Sequence, residues 1–158
     1  MSHKVPNHIL IPEIARLLQA GQQVVFTPSG VSMRPFIEGD RDSVVLSRAD
    51  TLRVGDILLC RIGGSYVLHR LIAIDGKQLT LMGDGNLCGE EHCTRADVLG
   101  RVTEIRTPGG RRKRLTRGRL WHRMLPLRPI LLKIYRKWLR IIHYQLSRFS
   151  LVENNRAR

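Results

Sequence analysis

The sequence predicts a mainly β fold: a coiled, mostly antiparallel, barrel-like sheet, with a short helix before it and a basic amphipathic helix after it. Three observations predict this. Five to seven short β-like runs follow one another between residues 23 and 107, parted by Gly-, Asp- and Asn-bearing turns. The apolar spacing changes to a helical period only near the two ends. Apolar residues make up 42% of the chain, enough for a packed core.

Residues 8–20, HILIPEIARLLQA, open the chain with Ile9, Ile14, Leu17 and Leu18 at roughly helical spacing, and Gly21 supplies a stop. QVVFT and DSVVLSRA read as strands on either side of an EGDRD turn. VGDILLCRI and SYVLHRLIAID read as the two arms of a hairpin closed by Gly63-Gly64. KQLTLMGD and DVLGRVTEIRT complete the set. PGGRRKRLTRGR, residues 108–119, reads as a basic linker. The expected organisation is therefore a helix over 1–22, a β domain over 23–107, the linker over 108–119 and a helical tail over 120–158, with no internal repeat.

Charge separates the body from the tail. The chain of 158 residues carries a formal net charge of +14. Residues 1–100 hold 10 Lys/Arg against 11 Asp/Glu, which is −1; residues 101–158 hold 17 against 2, which is +15. A basic tail implies a polyanionic partner, either nucleic acid or an anionic membrane surface. From Pro129 onward, Lys133, Arg136, Lys137 and Arg140 fall on one helical face, while Leu131, Ile134, Tyr135, Trp138, Ile141 and Ile142 cover the other side. An interfacial membrane helix needs this pattern, with Trp138 at the boundary. A helix packed on the domain with solvated cations has the same pattern. Nucleic acid would use the cations but not so large an apolar face.

No run of about 18 apolar residues exists, so no membrane span is predicted. The start lacks a secretory h-region. Three cysteines, Cys60, Cys88 and Cys93, form no dense framework and imply free thiols in a reducing compartment. The expected location is cytoplasmic, peripheral on the inner face of a membrane. Cys60, Cys88, His92 and Cys93 lack paired zinc-knuckle spacing, so no metal is expected. Arg111, Arg112, Lys113 and Arg114 read as a solvated linker or added attraction to lipid, ahead of a nucleic-acid patch.

SGVSMRPFIEGD, residues 29–40, sets Ser32 between a β-like run and an acidic turn. Alone it is a turn serine. VLHRL adds His69 in mid-strand, and a serine hydroxyl needs such a base before it becomes a nucleophile. LMGDGNLCGEE adds Asp84 and Glu90, either of which can orient an imidazole. GDGN by itself reads as a tight turn.

In order, SGVSMRPFIEGD, VGDILLCR, YVLHRLIAI, LMGDGN and DVLGRV resemble the type I signal peptidase and LexA-type superfamily of serine peptidases, over about residues 23–105. The resemblance implies a coiled β peptidase fold with Ser32 as nucleophile. It places the base in the His69-Arg70 pair, where the bacterial enzymes and LexA-like proteins have lysine. Histidine there is similar to the endoplasmic-reticulum and archaeal type. It implies a third carboxylate after the GD-N motif, at Glu90, with Asp84 of the motif as the other candidate. Signal peptidases often place a serine two residues before the nucleophile, where Gly30 stands here; the S-G-x-S-M spacing is closer to the LexA type. The Ser32 N–H is then the expected oxyanion donor. Gly30, Met33, Pro35 and Arg70 are expected to shape the cleft.

The implied function is a serine endopeptidase that cleaves an extended peptide or leader without a cofactor. Residues 23–26 are a candidate docking edge. Two alternatives stand beside it: a catalytically silent membrane- or nucleic-acid-binding module, and a self-cleaving regulator cut at Ala20-Gly21 or Cys88-Gly89.

Overall fold

The computed structural model describes residues 6–113, 115, 121, 124, 127 and 129–142. The expected linker and tail fall partly outside them, at 114, 116–120, 122, 123, 125, 126, 128 and 143–158. The chain divides into two compact units, Met1–His122 and Arg123–Arg158.

The first unit is mainly β. Helix α1 (Asn7–Gln19) leads into β1 (Val24–Phe26), β2 (Ser43–Ser47), β3 (Ile57–Ile62), β4 (Ser65–Asp75), β5 (Gln78–Met82), β6 (Glu91–Thr94), β7 (Val98–Arg106) and β8 (Arg112–Lys113). They form one sheet in the order β1-β2-β7-β3-β4-β5-β6, with β8 on β7, and every pairing is antiparallel. Two strands escape the sequence reading, β6 and β8. The second lies inside the expected linker and ties it to the sheet.

Helix α1 ends where Gly21 was expected to stop it. Gly21 has φ +79°, its N–H donates to the Leu18 carbonyl, and the Gln22 N–H donates to that of Leu17. That double return is the Schellman arrangement, which glycine enters without a Cβ penalty. Ile11, Ile14 and Leu18 turn inward, while Ile9 is exposed. A Cβ on Gly100 would lie 2.6 Å from Leu18 Cδ1, so glycine there lets α1 settle on β7.

The expected hairpin forms, with Ile62 opposite Ser65 around Gly63 and Gly64 at φ +55° and +80°. Positive φ at both turn residues matches the right-handed strand twist. The continuous apolar run of β3 has a structural reason. Ile57 and Leu59 enter a core with α1, Met33, Ile37, Val44 and Leu46, while Leu58 and Cys60 enter a second core with Leu71, Leu79, Leu81 and Cys93. Alternate residues thus serve opposite faces, and both faces are buried.

Trp121 packs edge-on against Phe36 at 5.5 Å between centroids, so the first unit extends past the expected start of the tail. In the second unit, residues 129–142 form helix α2.

Candidate active site

Ser32 sits in a tight turn between β1 and β2. The Arg34 N–H donates to the Val31 carbonyl, and the Phe36 and Ile37 N–H groups donate to that of Met33. The side chains of Met33 and Ile37 are buried in the core beneath α1, so the turn is anchored from below. Gly30, at φ +92°, closes the turn against Gly39: a Cβ on Gly39 would lie 2.0 Å from the Gly30 carbonyl oxygen. Two bare backbones meet there because no side chain fits.

The GDGN segment presses on the same turn. The Gly85 N–H donates to the Ser32 carbonyl at 2.7 Å. A Cβ on Gly83 would lie 2.7 Å from that carbonyl oxygen, and one on Gly85 3.0 Å from those of Val31 and Arg34. The motif is therefore more than a turn. Its glycines allow the close approach that fixes the serine's backbone.

β4 carries His69, the residue expected to be the base. His69 lies within the part of β4 that pairs with β3, opposite Leu58. The Ser32 Oγ–H donates to His69 Nε2 at 3.0 Å. On the other side of the ring, His69 Nδ1–H donates to Glu91 Oε2 at 2.5 Å. An ionised carboxylate only accepts, so Glu91 sets the proton on Nδ1 and leaves Nε2 free to accept from the serine.

The carboxylate hydrogen-bonded to the imidazole is thus Glu91, and neither Asp84 nor Glu90. Asp84 is fully buried and receives both Nε–H and Nη2–H of Arg70, at 2.7 and 2.6 Å. Arg70 also donates to the Gly55 carbonyl and lies over the Phe36 ring. Adjacent strand residues project to opposite faces, so His69 and Arg70 serve different partners. Glu90 is exposed, one residue before the strand position that reaches the imidazole. Sequence reasoning missed Glu91 because the two glutamates are adjacent, and only the phase of β6 chooses between them.

A cleft of about 150 Å³ opens beside Ser32, walled by Pro28, Gly30, Met33 and Ile37 on one side and by Tyr66, Leu68 and His69 on the other. Residues 5–103, more than half the chain, match the Peptidase S24-like family. The chain belongs to that family. A search of curated proteins found no match.

Within this Peptidase S24-like domain the expected cleft residues divide. Gly30 and Met33 line the cleft. Pro35 lines a different hollow with Phe36, Ile105 and Lys113, and Arg70 is a buried tie. Val24–Phe26 is an edge strand, but the strand wall of the cleft is β4. β5 pairs with β4 only from Arg70 onward, so residues 65–69 have β3 on one edge and the cleft on the other.

Cys60 and Cys93 meet in the second core, where the Cys60 thiol is hydrogen-bonded to Cys93. Burial pushes both thiols up, Cys60 most strongly, and holds them protonated and unreactive. Among the described residues no three His, Cys, Asp or Glu side chains group as metal ligands do.

Proposed function

We propose that the protein is a serine endopeptidase of the histidine-base kind. The observation that carries this reading is the unbroken line from Ser32 Oγ through His69 to Glu91, at 3.0 and 2.5 Å. Ser32 Oγ attacks the scissile carbonyl while His69 Nε2 takes its proton. His69 then returns that proton to the leaving amine, and the acyl-serine is released by a water activated the same way. Glu91 holds the ring and stabilises the imidazolium that forms. The Ser32 N–H serves the oxyanion, its backbone fixed by the glycines of the GDGN segment.

The substrate is an extended peptide laid beside β4. In an antiparallel hairpin alternate residues bond to the partner strand, so the backbones of Tyr66 and Leu68 turn to the cleft and can pair with a peptide. The small volume of the cleft favours a small side chain beside the scissile bond. Self-cleavage has less support. The Ala20-Gly21 bond is wound into the end of α1 by hydrogen bonds to Arg16 and Leu18, and a scissile bond must be extended.

A serine-directed phosphonate probe tests the reading. It is expected to label Ser32 in the folded protein and to fail with both Ser32→Ala and His69→Ala. A folded wild type that takes no label, or a His69→Ala variant labelled at the wild-type rate, would sink it.

A further inference from the structure

We propose that α2 is a docking surface for an anionic membrane, lying flat on the bilayer rather than crossing it. This does not rest on catalysis by Ser32.

The helix presents three faces. Leu132 is buried, and Leu131, Tyr135, Leu139 and Ile142 around it are half-buried. Ile130, Ile134, Trp138 and Ile141 are instead 57%, 61%, 58% and 50% exposed. At 100° per residue these four lie within about 80° of arc, forming a continuous apolar stripe about 17 Å long. Lys133, Arg136, Lys137 and Arg140, all exposed, occupy the adjoining arc of about 100°. Folding has thus covered one part of the apolar face expected from the sequence and left another part open.

Four large apolar side chains in one open stripe mark an interaction site. Charge identifies what covers it. No acidic residue occurs between Glu104 and Glu153, so the stripe sits in an uninterrupted cationic field. A second copy of α2 laid on the stripe would bring like cations together. Nucleic acid would satisfy the cations and leave the isoleucines in water. An anionic bilayer satisfies both: the stripe enters the acyl boundary, Trp138 sits at headgroup depth, and the flanking cations meet the lipid phosphates. Among the described residues no helix is long and apolar enough to cross a membrane, which leaves the flat orientation.

The experiment is vesicle co-sedimentation of the full chain, with phosphatidylcholine vesicles against phosphatidylcholine–phosphatidylglycerol vesicles. Binding is expected only to the anionic vesicles, weakening as salt rises from about 0.1 to 0.5 M. Lys133→Gln, Lys137→Gln and Arg140→Gln should each weaken it about fivefold. Ile134→Ser with Trp138→Ser should weaken it at least tenfold at constant charge. The helical signal in circular dichroism and the melting temperature should remain as in wild type, which excludes misfolding as the cause. Three results overturn the proposal. One is equal or absent sedimentation with both vesicle types. Another is binding to duplex DNA, without vesicle binding, that the Ile134/Trp138 variant leaves unchanged. The third is a dimer in light scattering that the same variant dissolves.

Discussion

Glu91 Oε2 accepts from His69 Nδ1 across 22 residues of sequence, because β6 brings the chain back alongside β5, the strand paired with the later part of β4, after the GDGN turn. Its neighbour Glu90 is exposed. The two glutamates therefore separate orientation of the imidazole from mere negative charge nearby. Glu91→Gln should slow acylation of Ser32 by on the order of 10²- to 10⁴-fold, as loss of an orienting carboxylate does in serine–histidine systems. Glu90→Gln should stay within about twofold, since screening mutes an exposed charge. Rates of probe labelling under single-turnover conditions decide this. A slow Glu90→Gln beside a normal Glu91→Gln would refute the assignment.

The Arg70–Asp84 pair makes the opposite demand. Both side chains are almost wholly buried, and the pair is bidentate. Removing one partner strands a charge in the interior, at a cost of about 3–5 kcal/mol. Asp84→Asn should lower unfolding stability by about that much, while the fraction still folded labels at Ser32 at a near-normal rate. Replacing both partners together, Arg70→Met with Asp84→Leu, should cost less than the single change. Urea unfolding of the three variants checks the order. An Asp84→Asn variant that stays fully stable but loses labelling would make Asp84 a catalytic orienter instead.

Much of this geometry is legible in the amino-acid order, and the part that is not has a physical reason. Gly63-Gly64 marks the hairpin because only residues at ease with positive φ close a two-residue turn. Gly21 marks the end of α1 in the same way. Strand β3 shows through its apolar run. β6 reads EHCT, with Cys93 alone buried, so it has no alternation to detect. β8 is two basic residues inside a basic stretch, held by its pairing with β7 and by a bond from Lys113 to Asp42, which lies far off in the sequence. Ser32 and His69 could be named because motif and chemistry agree on them. Glu91 could not, since a one-residue change of phase in an unseen strand exchanges it with Glu90. The glycines of GDGN read as turn residues because their actual task, admitting the Ser32 turn, lies across the fold.

The packing of the serine turn can be tested at its tightest contact, between Gly39 and Gly30. Gly39→Ala would put a methyl 2.0 Å from the Gly30 carbonyl, where only backbone movement can relieve it. Overpacking of this kind costs about 1–3 kcal/mol, and the strain falls on the turn that holds Ser32. Both stability and the labelling rate should drop. Gly109→Ala, with nothing within 4 Å of the added methyl, serves as the control and should stay within about 0.5 kcal/mol of wild type. A Gly39→Ala variant that melts and labels as wild type would show that the turn is not held by this contact.

Asp42 ties the far end of the same loop. Burial works against its charge, but hydrogen bonds from Arg41, from Lys113 and from the Glu38 N–H, with the Lys113 charge, outweigh it and lower the carboxyl from 3.8 to about 2. Lys113 Nζ donates to Asp42 Oδ2 at 2.5 Å and to the Phe36 carbonyl at 3.0 Å, so β8 and the serine loop share this anchor. A carboxyl depressed by folding contributes stability that is present above its unfolded value and is lost as pH falls through the folded value. The window here is therefore about pH 4 down to pH 2. Wild type should exceed Asp42→Asn in unfolding free energy by on the order of 2 kcal/mol at pH 5, and the gap should close towards pH 2. Denaturant unfolding of both proteins at steps between those limits measures it. A gap that stays constant with pH would mean that Asp42 titrates alike in the folded and unfolded chains, and that Lys113 holds the loop through the Phe36 carbonyl rather than through the charge.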